Sequence, residues 1–110
     1  MAKYAIFFTL KAETVSGMMQ KPSDRAAVVS TLLESVGGRL EAYYWMLGQW
    51  DGFVVATAPD GASAAAVSLA VSSTGAFGHL ETHELFDASE INGLLERAKS
   101  FSGQYTPPGA

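Results

Sequence analysis

The 110-residue sequence contains no cysteine, only four prolines and two histidines, and few charged residues, 16% in all. The absence of cysteine excludes disulfide bonds, thiolate nucleophiles and sulfur-ligated metal sites. The formal net charge is −4, and the seven basic residues are scattered along the chain. Because there is no basic stripe to neutralise phosphates, neither nucleic acid nor an anionic membrane surface is an expected partner.

Long apolar runs are missing as well. No run approaches the roughly 20 apolar residues that cross a bilayer, and the short apolar run near the start lacks the cleavage site of a signal peptide. We therefore expect a soluble, cytoplasmic protein. The sequence also lacks a phosphate-binding glycine-rich loop, a Gly-x-Ser-x-Gly elbow and a zinc-binding helix motif. No cofactor and no metal are expected.

Apolar residues are abundant, at 48%, which is enough for one domain with a core of its own. Two runs rich in aromatic and β-branched residues, 39–47 and 51–58, flank the turn Gly48-Gln49-Trp50-Asp51. This pattern predicts a strand, a turn and a second strand. The second run is apolar at consecutive positions, which predicts a strand in the middle of a sheet, buried on both faces.

The first third of the chain contains a strand and two helical segments. Residues 4–10 form a strand that is also apolar on both faces, and Thr14 is expected to cap a short helical turn. Ser23 or Asp24 caps a longer helix, because their side-chain oxygens accept hydrogen bonds from first-turn amides. That helix ends at Gly37, since glycine adopts the left-handed conformation that terminates helices.

The last third contains a helix, a strand and a final helix. The second long helix covers residues 62–74, and a fourth strand covers residues 77–86. The final helix has an apolar stripe made of Ile91, Leu94, Leu95, Ala98 and Phe101. We predict one domain over residues 1–101 and a tail over residues 102–110.

This order of elements indicates an α+β fold, a ferredoxin-like βαββαβ antiparallel sheet with an added C-terminal helix. The topology places the first and third strands, which are apolar throughout, at the centre of the sheet. Helices cover only one face of such a sheet, and the other face would expose a large apolar surface. A second copy of the chain is expected to cover it, as a homodimer or a higher oligomer.

Several short motifs, in order along the chain, resemble the GYD-domain family. That family has a Gly-x-Tyr-Asp turn, and here tryptophan replaces the tyrosine in Gly48-Gln49-Trp50-Asp51. The resemblance covers roughly residues 3–88. The other motifs that match are Thr14-x-x-Gly17, Ser23-x-Arg25, residues 37–45, Val54-Val55-Ala56 and Ala58-Pro59-Asp60.

The resemblance implies a ferredoxin-like domain that forms a dimeric α/β barrel. It implies no particular reaction. Relatives in the wider group include cofactor-free monooxygenases, haem-degrading enzymes, lactone isomerases and ligand-sensing regulatory domains, so the fold alone is a weak guide to function.

The fourth predicted strand carries His79, Glu81 and His83 on one face, because side chains alternate along a strand. Two imidazoles and a carboxylate are a set that acts as acid and base or holds a divalent metal. The roughly 13 Å between the two outer positions is too long for one ion. A polar, solvated edge strand explains the same pattern, and no metal site is predicted.

Aromatic residues are the candidates for ligand binding. Tyr43 and Trp45 share one face of the second strand, and with Phe7 and Phe53 they are predicted to line a cavity between the sheet and its partner subunit. The competing interpretation is that these rings pack under helices or at a dimer interface. The sequence does not say which face each ring occupies.

Asp51 is a third catalytic candidate, beside His79 and His83. At its place in the turn, an aspartate more often accepts backbone hydrogen bonds and fixes the turn, which is the interpretation we favour. Arg25 is expected to form an ordinary salt bridge with Asp24 or Glu34 rather than to bind a substrate carboxylate.

Two functional hypotheses follow. In the first, the protein binds or converts a small apolar or aromatic molecule, and a cofactor-independent oxygenase or isomerase is the favoured enzyme class. In the second, it is a non-catalytic oligomeric module whose aromatic residues form the core of an interface. The volume of the cavity discriminates between them, because a ligand site needs a few hundred Å³.

Overall fold

The computed structural model describes residues 1–110 and contains four strands, four α-helices and two short 3₁₀-helices. The strands are β1 (Ala2–Leu10), β2 (Arg39–Trp45), β3 (Gly52–Ala58) and β4 (Phe77–Leu85). The helices are α1 (Ala12–Gln20), α2 (Arg25–Ser35), α3 (Gly61–Ser72) and α4 (Ile91–Phe101), with 3₁₀-helices at Ala88–Glu90 and Ser102–Gln104. The predicted order of elements is confirmed, and α1 is longer than the single turn expected.

The four strands form one antiparallel sheet in the order β2-β3-β1-β4. This confirms the ferredoxin-like α+β architecture. The two central strands are β1 and β3, the strands whose sequences are apolar on both faces. Local composition and topology therefore agree.

Short polar residues set the helix ends. The carboxylates of Asp24 and Asp60 cap α2 and α3, each accepting a hydrogen bond from the amide three residues later, at 3.0 and 2.8 Å. Gly37 ends α2 with a φ of +83°. The prediction that Thr14 caps a helical turn is wrong, because α1 begins at Ala12 and Thr14 lies inside it. Its hydroxyl donates instead to the carbonyl of Ala76 at 2.6 Å, which fixes α1 beside the start of β4.

The strand register assigns every side chain of the sheet to one of two faces. Helices α2 and α3 pack on the helix-covered face, where Leu33 and Val67 meet Ala56 in a buried cluster. Tyr4 and Phe8 of β1 are buried on the same face. This side of the sheet therefore contains the hydrophobic core.

No helix covers the opposite side, which we call the open face. Its central residues are Ala5, Phe7, Phe53 and Val55, in directly paired positions of β1 and β3. The rings of Phe7 and Phe53 stack at 5.2 Å. The open face is thus apolar at its centre, as the two-sided apolar strands predict.

Helix α4 leaves the sheet domain after β4. None of its residues is buried, and Ile91, Leu95 and Phe101 are each half or more exposed. The molecule is accordingly elongated, with a radius of gyration of 17.6 Å, against about 13 Å for a compact domain of roughly 100 residues. The helix itself is confirmed, whereas the domain boundary at residue 101 stays a prediction. No helix of the chain combines the length and the apolar character needed to cross a bilayer.

Candidate functional site

The turn between β2 and β3 is fastened to the end of β1. The carboxylate of Asp51 accepts a hydrogen bond from the amide of Leu10 at 2.7 Å, and the Asp51 amide donates to the carbonyl of Phe8 at 2.9 Å. The Asp51 carbonyl accepts from the amide of Met46 at 2.9 Å. Asp51 therefore uses side chain and backbone together to hold the turn, in line with the structural interpretation.

Trp50 of the same turn lies over one end of the open face. Its ring stacks on the imidazole of His79 at 5.5 Å and contacts the ring of Phe7 at 5.8 Å. Gly52, two residues later, is required by close packing on the other face: a β-carbon there would lie 2.6 Å from the ring of Phe8. Trp50 of the turn and Gly52, the first residue of β3, therefore contribute to opposite faces of the sheet.

His79, Glu81 and His83 of β4 form a hydrogen-bonded cluster on the open face. Glu81 lies between the two histidines, with its oxygens 3.2 Å from Nε2 of His79 and 2.8 Å from Nε2 of His83. These hydrogen bonds, first that of His83, lower the pKa of the Glu81 carboxyl below its ordinary value. No group of three or more histidine, aspartate or glutamate side chains has the geometry to hold a metal ion.

The four aromatic candidates do not share one cavity. Phe7 and Phe53 lie on the open face, with the histidines. Tyr43 pairs with Val54, and Trp45 pairs with Gly52, so both lie on the helix-covered face. The prediction of a single cavity between the sheet and a partner, lined by all four rings, is therefore wrong. The sheet itself separates the two pairs.

Tyr43 and Trp45 instead line a cleft on the helix-covered side. The cleft has a volume of about 540 Å³ and lies between α1, α2, the end of α3, the end of β2 and the start of β4. Its wall is mainly apolar. The apolar part of the wall includes Met18, Leu32, Tyr43, Trp45, Val71 and Phe77.

The buried ring of Phe8 supports the aromatic wall of the cleft. It makes edge contacts with three rings, whose centroids lie 6.0 Å (Tyr43), 5.7 Å (Trp45) and 5.6 Å (Phe77) from its own. The ring centroids of Tyr43 and Trp45 are 5.3 Å apart. Phe8 is only 4% exposed, whereas Trp45 is 50% exposed. Phe8 thus packs behind the aromatic wall, and the indole of Trp45 stays accessible from the cleft.

Arg25 lines the cleft and forms no ion pair. The expected salt bridge with Asp24 or Glu34 is absent. The carboxylate of Asp24 caps α2, and that of Glu34 accepts from the hydroxyl of Ser30 at 3.4 Å. Burial raises the pKa of the Tyr43 phenol, and the charge of Arg25 partly opposes this shift.

A comparison with protein families identifies the family of this chain. The family model described as the GYD domain matches residues 4–95. The chain belongs to the GYD domain family. No curated protein matches the sequence.

The match extends from residue 4, near the start of β1, through the rest of the sheet to the first half of α4. The residues by which the sequence resembles the family are not confined to the turn. Thr14, Gly17, Ser23 and Arg25, which come from two separate motifs, all line the cleft. A β-carbon placed on Gly17 would have no heavy atom within 4 Å, so the space beside this residue is empty.

Sequence reasoning missed most of the cleft. Lys21, Met18, Leu32 and Phe77 line it and were not candidates. The available signal was the pair of family motifs in residues 14–25. Nothing in their spacing shows that α1 and the start of α2 meet the end of β2.

Proposed function

We propose that this GYD-domain protein binds a small apolar or aromatic molecule in the cleft on the helix-covered side of the sheet. The single observation that carries the proposal is the cleft itself, about 540 Å³ with Tyr43 and Trp45 in its wall. This volume is within the range of small-molecule sites, and aromatic walls with a few polar groups are typical of them. The cleft replaces the cavity at a partner interface that the sequence suggests.

Within the cleft, Tyr43 is the group best suited to orient a bound molecule. Its hydroxyl forms no hydrogen bond to another side chain or to the backbone, so it is available to a ligand. The phenol is protonated at neutral pH and can donate a hydrogen bond, and partial burial raises its pKa further above the ordinary value. His79, His83 and Asp51 lie outside the cleft, so binding there does not need them.

Conversion of the bound molecule is the narrower form of the proposal. The favoured classes are a cofactor-independent oxygenase and an isomerase. Incubation of the identified ligand with the protein distinguishes them by mass spectrometry of the small molecule. Added oxygen indicates an oxygenase, an unchanged mass with an altered retention time an isomerase, and an unaltered molecule a binding protein.

Native mass spectrometry of the protein purified from its source tests the proposal. It reports subunit count and any co-purifying molecule together. The molecule found is then titrated into the variants Trp45→Ala and Trp50→Ala. We expect loss of binding in Trp45→Ala and unchanged binding in Trp50→Ala, because the two indoles lie on opposite faces of the sheet. Loss only in Trp50→Ala would contradict the cleft as the site.

The second candidate function, a non-catalytic oligomeric module, is favoured by the open face. Phe7, Phe53 and Val55 form an apolar centre there, and Tyr44 beside them is 58% exposed. The apolar stripe of α4 has no cover from its own chain either. We propose that a second copy covers the open face, as a homodimer or a higher oligomer. This assembly is compatible with a ligand in the cleft, because the two surfaces lie on opposite sides of the sheet.

A further inference from the structure

The charge inside the cleft is opposite to that of the whole chain. The protein has 11 acidic and seven basic residues. Lys21 and Arg25 line the cleft, and no aspartate or glutamate does. The nearby Asp24 lines an adjoining hollow of about 350 Å³, which shares Arg25, Tyr43 and Trp45 with the cleft, and its carboxylate there accepts from the amide of Ala27. A molecule in the cleft therefore meets two basic side chains and no carboxylate of the cleft wall.

Arg25 differs from every other lysine and arginine of the chain. It is partly buried and forms no ion pair. Lys3 is also partly buried, but it pairs with Glu41 at 3.5 Å and with Asp87 at 4.0 Å. The remaining basic residues are exposed to solvent. A guanidinium that is partly removed from water without a counterion is suited to receive one from a ligand.

The position of Arg25 in the helix also favours the binding of an anionic group. It is the first residue of α2, a helix of 11 residues, and helix N-termini carry partial positive charge. One wall of the cleft beside it is the aromatic pair Tyr43 and Trp45. An anionic group near Arg25 would thus have an aromatic surface next to it on which the rest of the molecule packs.

We infer that the ligand is an aromatic carboxylic acid. Its carboxylate binds the guanidinium of Arg25, and its ring packs against Trp45 and the apolar wall. This inference rests on the proposed function and specifies its ligand. One planar guanidinium matches a carboxylate with two parallel hydrogen bonds, and it matches a phosphate in the same way, so the choice between the two rests on the rest of the site. Phosphate sites commonly use a glycine-rich loop of backbone amides, which this chain lacks.

Two probes that differ only in charge test the inference: 2-naphthoate and its neutral counterpart 2-naphthamide. Calorimetric titration at low salt is carried out on the wild-type protein and on Arg25→Gln, with Arg97→Gln as the matched control. Arg97 lies on α4, is exposed and forms no ion pair. The control therefore removes the same charge at a distance from the cleft.

For the wild-type protein we expect 2-naphthoate to bind roughly ten- to a hundredfold more tightly than 2-naphthamide. Arg25→Gln removes this difference and leaves the affinity for the amide unchanged, while Arg97→Gln affects neither probe. Arg25→Lys, which keeps the charge without the planar fork, retains part of the preference and serves if the glutamine variant folds poorly.

The outcomes separate the two levels of the proposal. Equal binding of acid and amide, both lost in Trp45→Ala, would overturn the inference and leave the binding function intact. Preference for the acid that persists in Arg25→Gln would also overturn it. Binding of neither probe at millimolar concentration would contradict both the inference and the proposed site.

Discussion

The two faces of the sheet are built from the same four strands, yet they differ in almost every other respect. On the helix-covered face, Phe8 is buried behind Tyr43 and Trp45, and the cleft opens beside them. On the open face, Phe7 and Phe53 stack in a surface that no helix covers. Adjacent residues such as Phe7 and Phe8 thus have different neighbours and, in our account, different roles.

Apolar residues in a strand of this sheet thus have one of two roles, depending on the face they occupy. On the helix-covered face they form the core and one wall of a ligand cleft. On the open face they form a surface that we propose a partner covers, since soluble monomers rarely expose an apolar patch of this kind. We therefore propose ligand binding on one face and assembly on the other.

The largest effect is expected when the two phenylalanines are truncated in parallel. Phe8→Ala should lower the free energy of unfolding by about 3–5 kcal/mol, because it opens a cavity behind the aromatic wall. Phe7→Ala should cost no more than about 1.5 kcal/mol in the monomer, since its ring is only partly buried. Urea denaturation at low protein concentration measures both. Equal losses of unfolding free energy in the two variants would contradict the proposed difference between the two faces.

A charge placed on the open face should dissociate the assembly. Val55→Lys puts an ammonium at the apolar centre of that face, where a partner would have to bury it. We expect an assembly larger than 11.6 kDa for the wild-type chain and a folded 11.6 kDa monomer for the variant, by light scattering and circular dichroism. Ala66→Lys, on the exposed side of α3, is the control and should assemble normally. A wild-type protein that is monomeric at micromolar concentration would contradict the account.

Removal of the Asp51 side chain should lower stability by an intermediate amount. Asp51→Ala deletes the acceptor of the Leu10 amide and should lower the free energy of unfolding by about 1–2 kcal/mol. Glu96→Ala on α4 is a suitable control, because that residue is exposed. Thermal and chemical denaturation measure the change. Unchanged stability together with lost ligand binding would instead make Asp51 a functional carboxylate.

The smallest effect concerns Glu81. Hydrogen bonds from His83 and His79 lower its pKa in the folded state below the ordinary value of 4.5. The resulting stabilisation is present above about pH 4.5 and is lost as the pH falls through the folded-state pKa. Glu81→Gln should therefore be less stable than wild type at pH 6, with a difference that shrinks towards pH 3.

A background without the hydrogen-bond donors controls this experiment. In a His79→Ala, His83→Ala protein, which has no side-chain donor at either position, the further change Glu81→Gln should give no difference that depends on pH in this range. The double histidine variant should also bind a cleft ligand like wild type, because the histidines lie on the other face. Loss of cleft binding in that variant would show that the two faces are coupled.

Much of the fold could be predicted from the sequence because local signals agree with the topology. The two strands that are apolar on both faces occupy the centre of the sheet, and Asp24 and Gly37 mark the ends of α2 as expected. Thr14 illustrates the limit of such local reasoning. Its hydroxyl binds the carbonyl of Ala76, 62 residues away along the chain, rather than its own helix.

The site could be predicted only in part, and a β-bulge is one reason. The register of β2 against β3 shifts between Leu40 and Ala42. Strict alternation from Leu40, which lies on the helix-covered face, would put Tyr43 on the open face. The bulge at Glu41 reverses this and turns Tyr43 towards the cleft. The sequence gives the alternation of side chains but no sign of the bulge.

The most direct test of the central claim follows the two tryptophans separately during ligand binding. The indole N–H signals of ¹⁵N-labelled protein are assigned with Trp45→Phe and Trp50→Phe, and 2-naphthoate is then titrated into the wild-type chain. The account predicts that the Trp45 signal shifts to saturation while the Trp50 signal stays in place, since Trp45 lines the cleft and Trp50 lies over the open face. A saturating shift of Trp50 with Trp45 unchanged would contradict it.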